Sequence, residues 1–324
     1  MLINLHTHLE GRVRPATAVS LAASAGLLPD IDWEQALQLD APSDLTTYLE
    51  KVASSYPFFA SGDSLARIAR EAVEDAAADG EDYLELRFGP ATHVRDAFGL
   101  DDVIQAVCEG VRQGTEITGM PAGVVVAALR LHDTERNNDV ARAAARFAGD
   151  GVVGFDLAGD EARYPDLEPF AEAFAIARAA SLGLTCHAAE AGPGSAAIDA
   201  VNLFGVTRVG HGAHIVDNPD ILRQFTELNV AVEVCPTSNL YTGAIAAIPE
   251  HPAPRFRHAH VPILLGDDNP RQTRSALSRE HDVLRTELGF DEAALDALIA
   301  DSITRGFMDE HIRRSLHEKI EPRS

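Results

Sequence analysis

The sequence predicts an α/β fold, a (β/α)₈ TIM barrel with extra helices between strands 1 and 2, on three observations. Eight short β-branched or apolar runs recur along the 324 residues, helical patterns lie between them, and polar residues stand repeatedly where those runs end. A doubly wound sheet is the main rival. It has no use for eight parallel strands that each finish in polar residues.

The runs are Leu2 to His6, Tyr83 to Phe88, Val124 to Leu131, Val152 to Leu157, Leu184 to His187, Thr207 to His211, Val230 to Cys235 and Val261 to Gly266. Helical periodicity fills Ser64 to Asp79, Leu100 to Thr118, Asn138 to Ala148, Leu167 to Leu182 and Pro219 to Leu228. The segment from about 12 to 80 is too long for one crossover, so it predicts a helical insertion, including a helix through Thr46 to Ser54, over the barrel mouth. Within it, Phe58 and Phe59 of the Tyr56-Pro57-Phe58-Phe59 cluster either line a substrate entrance or dock a helix to the body. After Gly266 come C-terminal helices, about 271–318, patterned over Arg271 to Glu287 and Glu292 to Glu310. With no repeat, long linker or low-complexity tract, one domain over 1–324 is the simpler division.

Composition excludes several functions. Fifty Asp and Glu face 27 Lys and Arg, a formal charge of -23. That surface repels nucleic-acid polymers and anionic membranes, though not a small purine. Lys51 and Lys319 are the only lysines, one in an expected helix and one in the polar tail. Schiff-base chemistry, a phosphate-loop lysine and a carbamylated lysine bridging two metals are therefore all poorly served. Three scattered cysteines, Cys108, Cys186 and Cys235, form no CxxC pair and read as reduced core residues of a cytoplasmic protein. No signal peptide is evident, and no apolar stretch approaches the roughly 18 residues of a membrane span. Oligomeric state is not readable; a homo-oligomer stays open.

Barrel enzymes carry their chemistry at strand C-termini. Strand one ends in His6-Thr7-His8, strand five in His187 with Glu190 three residues on, strand six in His211, and strand eight in Asp267-Asp268. Residues i and i+2 of a strand share a face, so His6 and His8 can grip one ion. His187 and a carboxylate from Asp267 complete an N₃O set that suits one catalytic zinc, with iron or manganese fitting nearly as well.

These motifs resemble those of the adenosine deaminase family, within the amidohydrolase-type barrels. His6-Thr7-His8-Leu9-Glu10-Gly11 is similar to its opening His-x-His-Leu-Asp-Gly motif. Asp156-Leu157-Ala158-Gly159-Asp160-Glu161, His187-Ala188-Ala189-Glu190, Arg208-Val209-Gly210-His211-Gly212, Glu233 to Asn239 and Leu265-Gly266-Asp267-Asp268 follow in family order. The segments Tyr83 to Pro90 and Leu45 to Ala72 look similar as well. The resemblance implies hydrolytic deamination at C6 of an adenine ring, giving the 6-oxo purine and ammonia. It implies zinc on His6, His8, His187 and Asp267. Glu190 would protonate N1, and His211 would orient the attacking water and help with its charge. Asp268 would meet N7, and the Gly159 N–H would meet N3. That chemistry asks for such groups: attack at C6 pushes electrons onto N1, where an acid must deliver a proton.

Three departures bear on the substrate. Glu10 stands where the family has an Asp tied to the ribose, Ala189 replaces a glycine, and Asn269 separates Asp268 from Pro270. Arg12 and Arg14 follow the first motif and could receive a substrate carboxylate at the rim. Adenosine or a derivative is the first expectation; 6-aminodeoxyfutalosine, and adenine or an N6-substituted adenine, are the alternatives. A non-catalytic metal-binding barrel and a non-deaminating metallohydrolase are the rivals from other classes.

Overall fold

The computed structural model describes residues 1–23, 26–27 and 31–320. Eight parallel strands pair in chain order: β1 (Ile3–His8), β2 (Tyr83–Phe88), β3 (Ala122–Leu129), β4 (Val152–Ala158), β5 (Gly183–Ala188), β6 (Arg208–His211), β7 (Ala231–Val234) and β8 (Ile263–Leu265). The ring closes through a parallel bridge between Thr7 and Asp268. There the His8 N–H donates to the Asp268 carbonyl at 2.7 Å and the Asp268 N–H to the His6 carbonyl at 2.9 Å.

All eight expected strands form. β1 runs two residues further than expected because Thr7 and His8 pair with Leu86 and Arg87 of β2. Their polar character reflects a barrel mouth rather than a loop. The periodicity misreads some helices: Leu167 to Leu182 divides into a 3₁₀ turn, Glu168–Phe170, and a helix, Ala171–Ala179. Arg271 to Glu287 breaks at Arg274, whose φ of 55° ends Pro270–Thr273 before Leu277–Thr286 begins. Glu292–Arg305 stops at Gly306, and Glu310–Ile320 follows separately. Between β1 and β2 lie the helices Pro15–Ala22, Trp33–Ala36, Leu45–Ala53 and Gly62–Ala78. Asp44 caps Leu45–Ala53 by accepting the Thr47 N–H, and Leu45, Tyr48 and Val52 bury one face of it. Among the described residues no helix is long and apolar enough to cross a membrane.

Apolar side chains fill the space between strands and helices, whereas the barrel axis is charged. Arg87 reaches Asp156 at 3.1 Å and Glu233 at 2.9 Å, and Arg208 reaches Glu85 and Glu233, each at 2.6 Å. All five side chains are fully buried. Phe307 plugs the base, with the Arg208 guanidinium 3.6 Å from its ring centroid. Gly183 admits that plug, since a Cβ there would sit 2.1 Å from Phe307 Cδ1.

This axis predicts an acid transition. Burial alone raises the Glu233 carboxyl, but Arg87 and Arg208 outweigh it and hold the group at about 2, against 4.5 when free. A depressed folded-state value means stability present above the unfolded value and lost as pH falls toward the folded one. Glu233 therefore contributes on the order of 3 kcal/mol at neutral pH, lost between pH 4.5 and about 2. Denaturant melts across that window check this; Glu233→Gln should flatten the slope.

Candidate active site

At the C-terminal mouth, His6, His187, His211 and Asp268 are all buried, with one ligand atom from each within 4.8 Å of all the others. His8 borders them: its Nε2 is 3.2 Å from His187 Nε2 and 3.3 Å from Asp268 Oδ1, and its side chain is 14% exposed. Gly266 makes this convergence possible, because a Cβ there would lie 2.4 Å from the His6 backbone oxygen.

The far side of each central ring is anchored. His6 Nδ1 lies 2.7 Å from Glu233 Oε2 and His187 Nδ1 lies 3.0 Å from Asp156 Oδ2. Carboxylates only accept, so each Nδ1 is the protonated nitrogen and each Nε2 faces the centre with a bare lone pair. His6 Nε2 is buried with no protein hydrogen-bond partner. Such a nitrogen, among other imidazoles and a carboxylate, is a fit for a metal ion.

Asp267 is not in this cluster, which corrects the expected ligand set. Its carboxylate receives Arg12 Nη2 at 2.7 and 2.9 Å and Asn4 Nδ2 at 3.0 Å, behind the mouth. Asp268 turns into the centre because its backbone takes a left-handed φ of 57°. Its Oδ2 accepts from Tyr48 Oη at 2.9 Å and from Ser238, and its Oδ1 from Asn269 Nδ2 at 2.9 Å. Asp268 therefore stands as the cluster carboxylate, and Asn269 takes the adjoining position on the cavity wall. Counting back from Pro270, instead of forward from the acid pair, would have given this register.

Arg12 and Arg14 do not reach the rim. Arg12 is buried on Asp267 and Thr7, and Arg14 pairs with Glu74 and Asp75 of the helix Gly62–Ala78. Phe58 and Phe59 are also core residues: Phe58 packs edge-on against Trp33, and Phe59 lies against His93. Tyr56 is the member of that cluster on the cavity wall. Lys51 donates to the Ala36 carbonyl and Lys319 pairs with Asp82, both away from the mouth.

Glu190 sits beside His211, Oε2 to Nε2 at 3.6 Å, and its Oε1 is buried without a protein partner. Burial, and next the Asp268 charge, push its carboxyl up to about 8. The loop carrying it is clamped by Glu161, whose carboxylate accepts the N–H groups of Ala189, Glu190, Ala191 and Gly192 at 2.8 to 3.2 Å. Ala189 adopts a φ of 56°, a left-handed conformation that favours glycine, the residue that the resembled family motif has at this place. Glu161, Asp156, Glu233, Asn239 and Tyr48 were missed as site residues. The first four stand within quoted motifs, but which neighbour each touches is a tertiary fact.

A cavity of about 270 Å³ opens onto these groups. Glu10, Gly159, Glu190, His211 and Asn269 line its inner part, and Leu45, Leu49, Val52, Tyr56 and Leu131 its walls. Glu10 keeps one oxygen on the Gly89 N–H at 3.2 Å and His93 Nε2 at 3.0 Å.

Comparison with known proteins places the chain in a family and a fold. The family model described as adenosine deaminase matches residues 2–323. An adenosine deaminase of Enterococcus faecalis is 33% identical, covering 98% of this chain and 95% of that protein. An adenine deaminase of Rhizobium leguminosarum is 31% identical, covering 98% of each. Among solved structures, a zinc-bound amidohydrolase from Burkholderia ambifaria superposes with a TM-score of 0.88 at 26% identity, covering 98% of this chain and 88% of that one. The N6-methyl-AMP deaminase of Arabidopsis thaliana gives 0.85 at 25%, covering 100% and 97%.

Proposed function

This chain belongs to the adenosine deaminase family, and from that premise we propose that it deaminates C6 of the adenine ring of adenosine or an adenosine derivative, using one zinc ion. The observation behind the reading is Glu190, an acid beside a buried imidazole–carboxylate cluster on a cavity floor. His6, His8, His187 and Asp268 would hold the zinc ion, whose chemistry when bound would be to lower the pKa of water and so provide a nucleophile at neutral pH.

The chain's own residues do the rest. Glu190, whose protonated form burial and the Asp268 charge favour, offers its proton to N1 as the C6–O bond forms, so that charge does not build on the ring. One N–H of Asn269 Nδ2 is taken by Asp268, and the other is free to meet N7. Gly159 lines the N3 side. One proton of the water restores Glu190 and the other goes to N6, the oxygen stays on C6, the C6–N6 bond breaks, and the amine leaves as ammonia. The apolar walls beyond Gly159 give an N9 substituent surface to lie against, which favours a nucleoside over free adenine.

A second reading has its own support. Arg163 lines the outer cavity and is exposed; its backbone N–H donates to Asp160 and its guanidinium lies 5.9 Å from the Tyr164 ring centroid, with no hydrogen-bond or ion-pair partner of its own among the described residues. It replaces Arg12 and Arg14 as the group to meet an anion on the substrate, whether the carboxylate of 6-aminodeoxyfutalosine or a 5′-phosphate. Amine release by zinc-loaded protein tests both readings, as ammonia from adenosine, 2′-deoxyadenosine, adenine and 6-aminodeoxyfutalosine and as methylamine from N6-methyladenine and N6-methyl-AMP. We expect one member to reach a kcat/KM of about 10⁴ M⁻¹s⁻¹ or more. Preference for an anionic member, abolished by Arg163→Ala, selects the second reading; no release from any member rejects both.

A further inference from the structure

His211 differs from its neighbours in what stands behind it. His6 and His187 are backed by carboxylates, but His211 Nδ1 lies 3.0 Å from the side-chain amide of Asn239. An amide can donate or accept, so this contact alone does not say which ring nitrogen carries the proton. The next links decide it. The backbone N–H of Ala253 can only donate, and it points at His251 Nδ1 at 3.1 Å. That nitrogen must therefore be bare, and the neutral His251 ring carries its proton on Nε2. His251 Nε2 is 3.2 Å from Asn239 Oδ1. It donates there, which fixes the amide with Nδ2 toward His211. Nδ2 donates to His211 Nδ1, and the His211 proton is left on Nε2, the atom facing Glu190 and the cluster.

We infer that Asn239 and His251 are positioning residues that hold His211 as its Nε2–H tautomer, barring it from metal ligation and making it a fixed donor beside Glu190. Distance alone puts His211 in the ligand group; the proton sequence takes it out. A lone pair already bound to hydrogen cannot also bind a cation. The donor points where the oxygen attacking C6 must be held, so its use in catalysis rests on the deaminase reading, while the tautomer itself does not.

The relay also accounts for a stretch of chain with no other evident task. Asn239 stands on the helix Pro236–Tyr241 after β7 and is completely buried, and its backbone carbonyl takes the Ile245 N–H at 3.1 Å. The segment then runs through the 3₁₀ turn Ile248–Glu250 and returns His251, 3% exposed, to Asn239. Burial presses the His251 ring to a pKa of about 3, in keeping with a neutral link.

The test reads the tautomer directly. In protein labelled with ¹⁵N-histidine, ring-nitrogen shifts should show His211, assigned by its loss in His211→Gln, with Nε2 protonated and Nδ1 bare, both without metal and with zinc. In Asn239→Asp the carboxylate can only accept, so the proton should move to Nδ1. The freed Nε2 should then alter the visible absorption of the cobalt-substituted protein. With metal content and KM held, His251→Leu should lower kcat about 10–100-fold, and His251→Gln, which still presents an N–H to Asn239, should recover most of it. A wild-type spectrum with the His211 proton on Nδ1 overturns the inference, even if no variant folds. So does a His251→Leu enzyme with unchanged tautomer and kcat. Silence on every purine with the predicted tautomer intact would reject the reaction and leave the relay standing.

Discussion

Asp268→Asn should strip the protein of metal, while its neighbour Asp267→Asn should leave metal in place. The two acids are adjacent in sequence but face opposite ways. The Asp268 carboxylate lies among the imidazoles, and that of Asp267 is spent on Arg12 and Asn4. An amide at 268 removes the anionic ligand, so zinc measured by mass spectrometry after dialysis should drop to background. Deamination should fall about 10³-fold or more, some 4 kcal/mol of barrier. At 267 the loss appears in stability. Arg12 is 7% exposed, and the other carboxyl group it pairs with is Glu81, 3.9 Å away. Stranding a buried guanidinium costs about 3–5 kcal/mol, which a urea melt would resolve. Zinc lost from Asp267→Asn and kept by Asp268→Asn would reverse the ligand assignment.

Glu190→Gln should cost about 10²–10⁴ in kcat while metal content and KM stay near their wild-type values. The amide keeps the shape and the Glu161 clamp on the loop but has no acidic proton to give. The sign of the pH dependence follows. Only the protonated carboxyl is active as the acid, so wild-type kcat should fall as pH rises past the Glu190 value. Burial and Asp268 push that value up, to about 8 before any cation is bound. A bound cation would move the limb to lower pH, and Glu190→Gln should lack the limb altogether. A Gln variant retaining both full rate and the alkaline limb would remove Glu190 from the chemistry.

Much of this was legible in the residues because strand ends announce themselves. His6, His8, His187, His211 and Glu190 are polar where apolar runs stop, and all five arrive at one mouth. Asp267 was misread for a local reason: with two adjacent acids, a backbone turn decides which faces inward, and the left-handed φ of Asp268 leaves no mark on composition. Arg12 was misread because a charged residue beside a site looks available until its partner is known. Asp267, 255 positions away, is that partner. The Tyr48 hydroxyl on Asp268 and the contact of His251 with Asn239 depend in the same way on long-range closure. Periodicity reports which face of an element is apolar. It does not report which buried polar group meets which.

A lineage carrying this barrel cannot drift at its axis one residue at a time. Arg87 answers to Asp156 and Glu233, Arg208 to Glu85 and Glu233, and Glu233 to His6 as well. Any single replacement takes a partner from at least one buried charge, so neutral paths through these positions need paired substitutions, and such paths are rare. Leu45, Leu49 and Leu131 on the cavity wall have no such obligations. Homologues should therefore diverge quickly at the wall and slowly at the axis, and new substrate ranges can arise in this scaffold without disturbing the floor where the reaction is done.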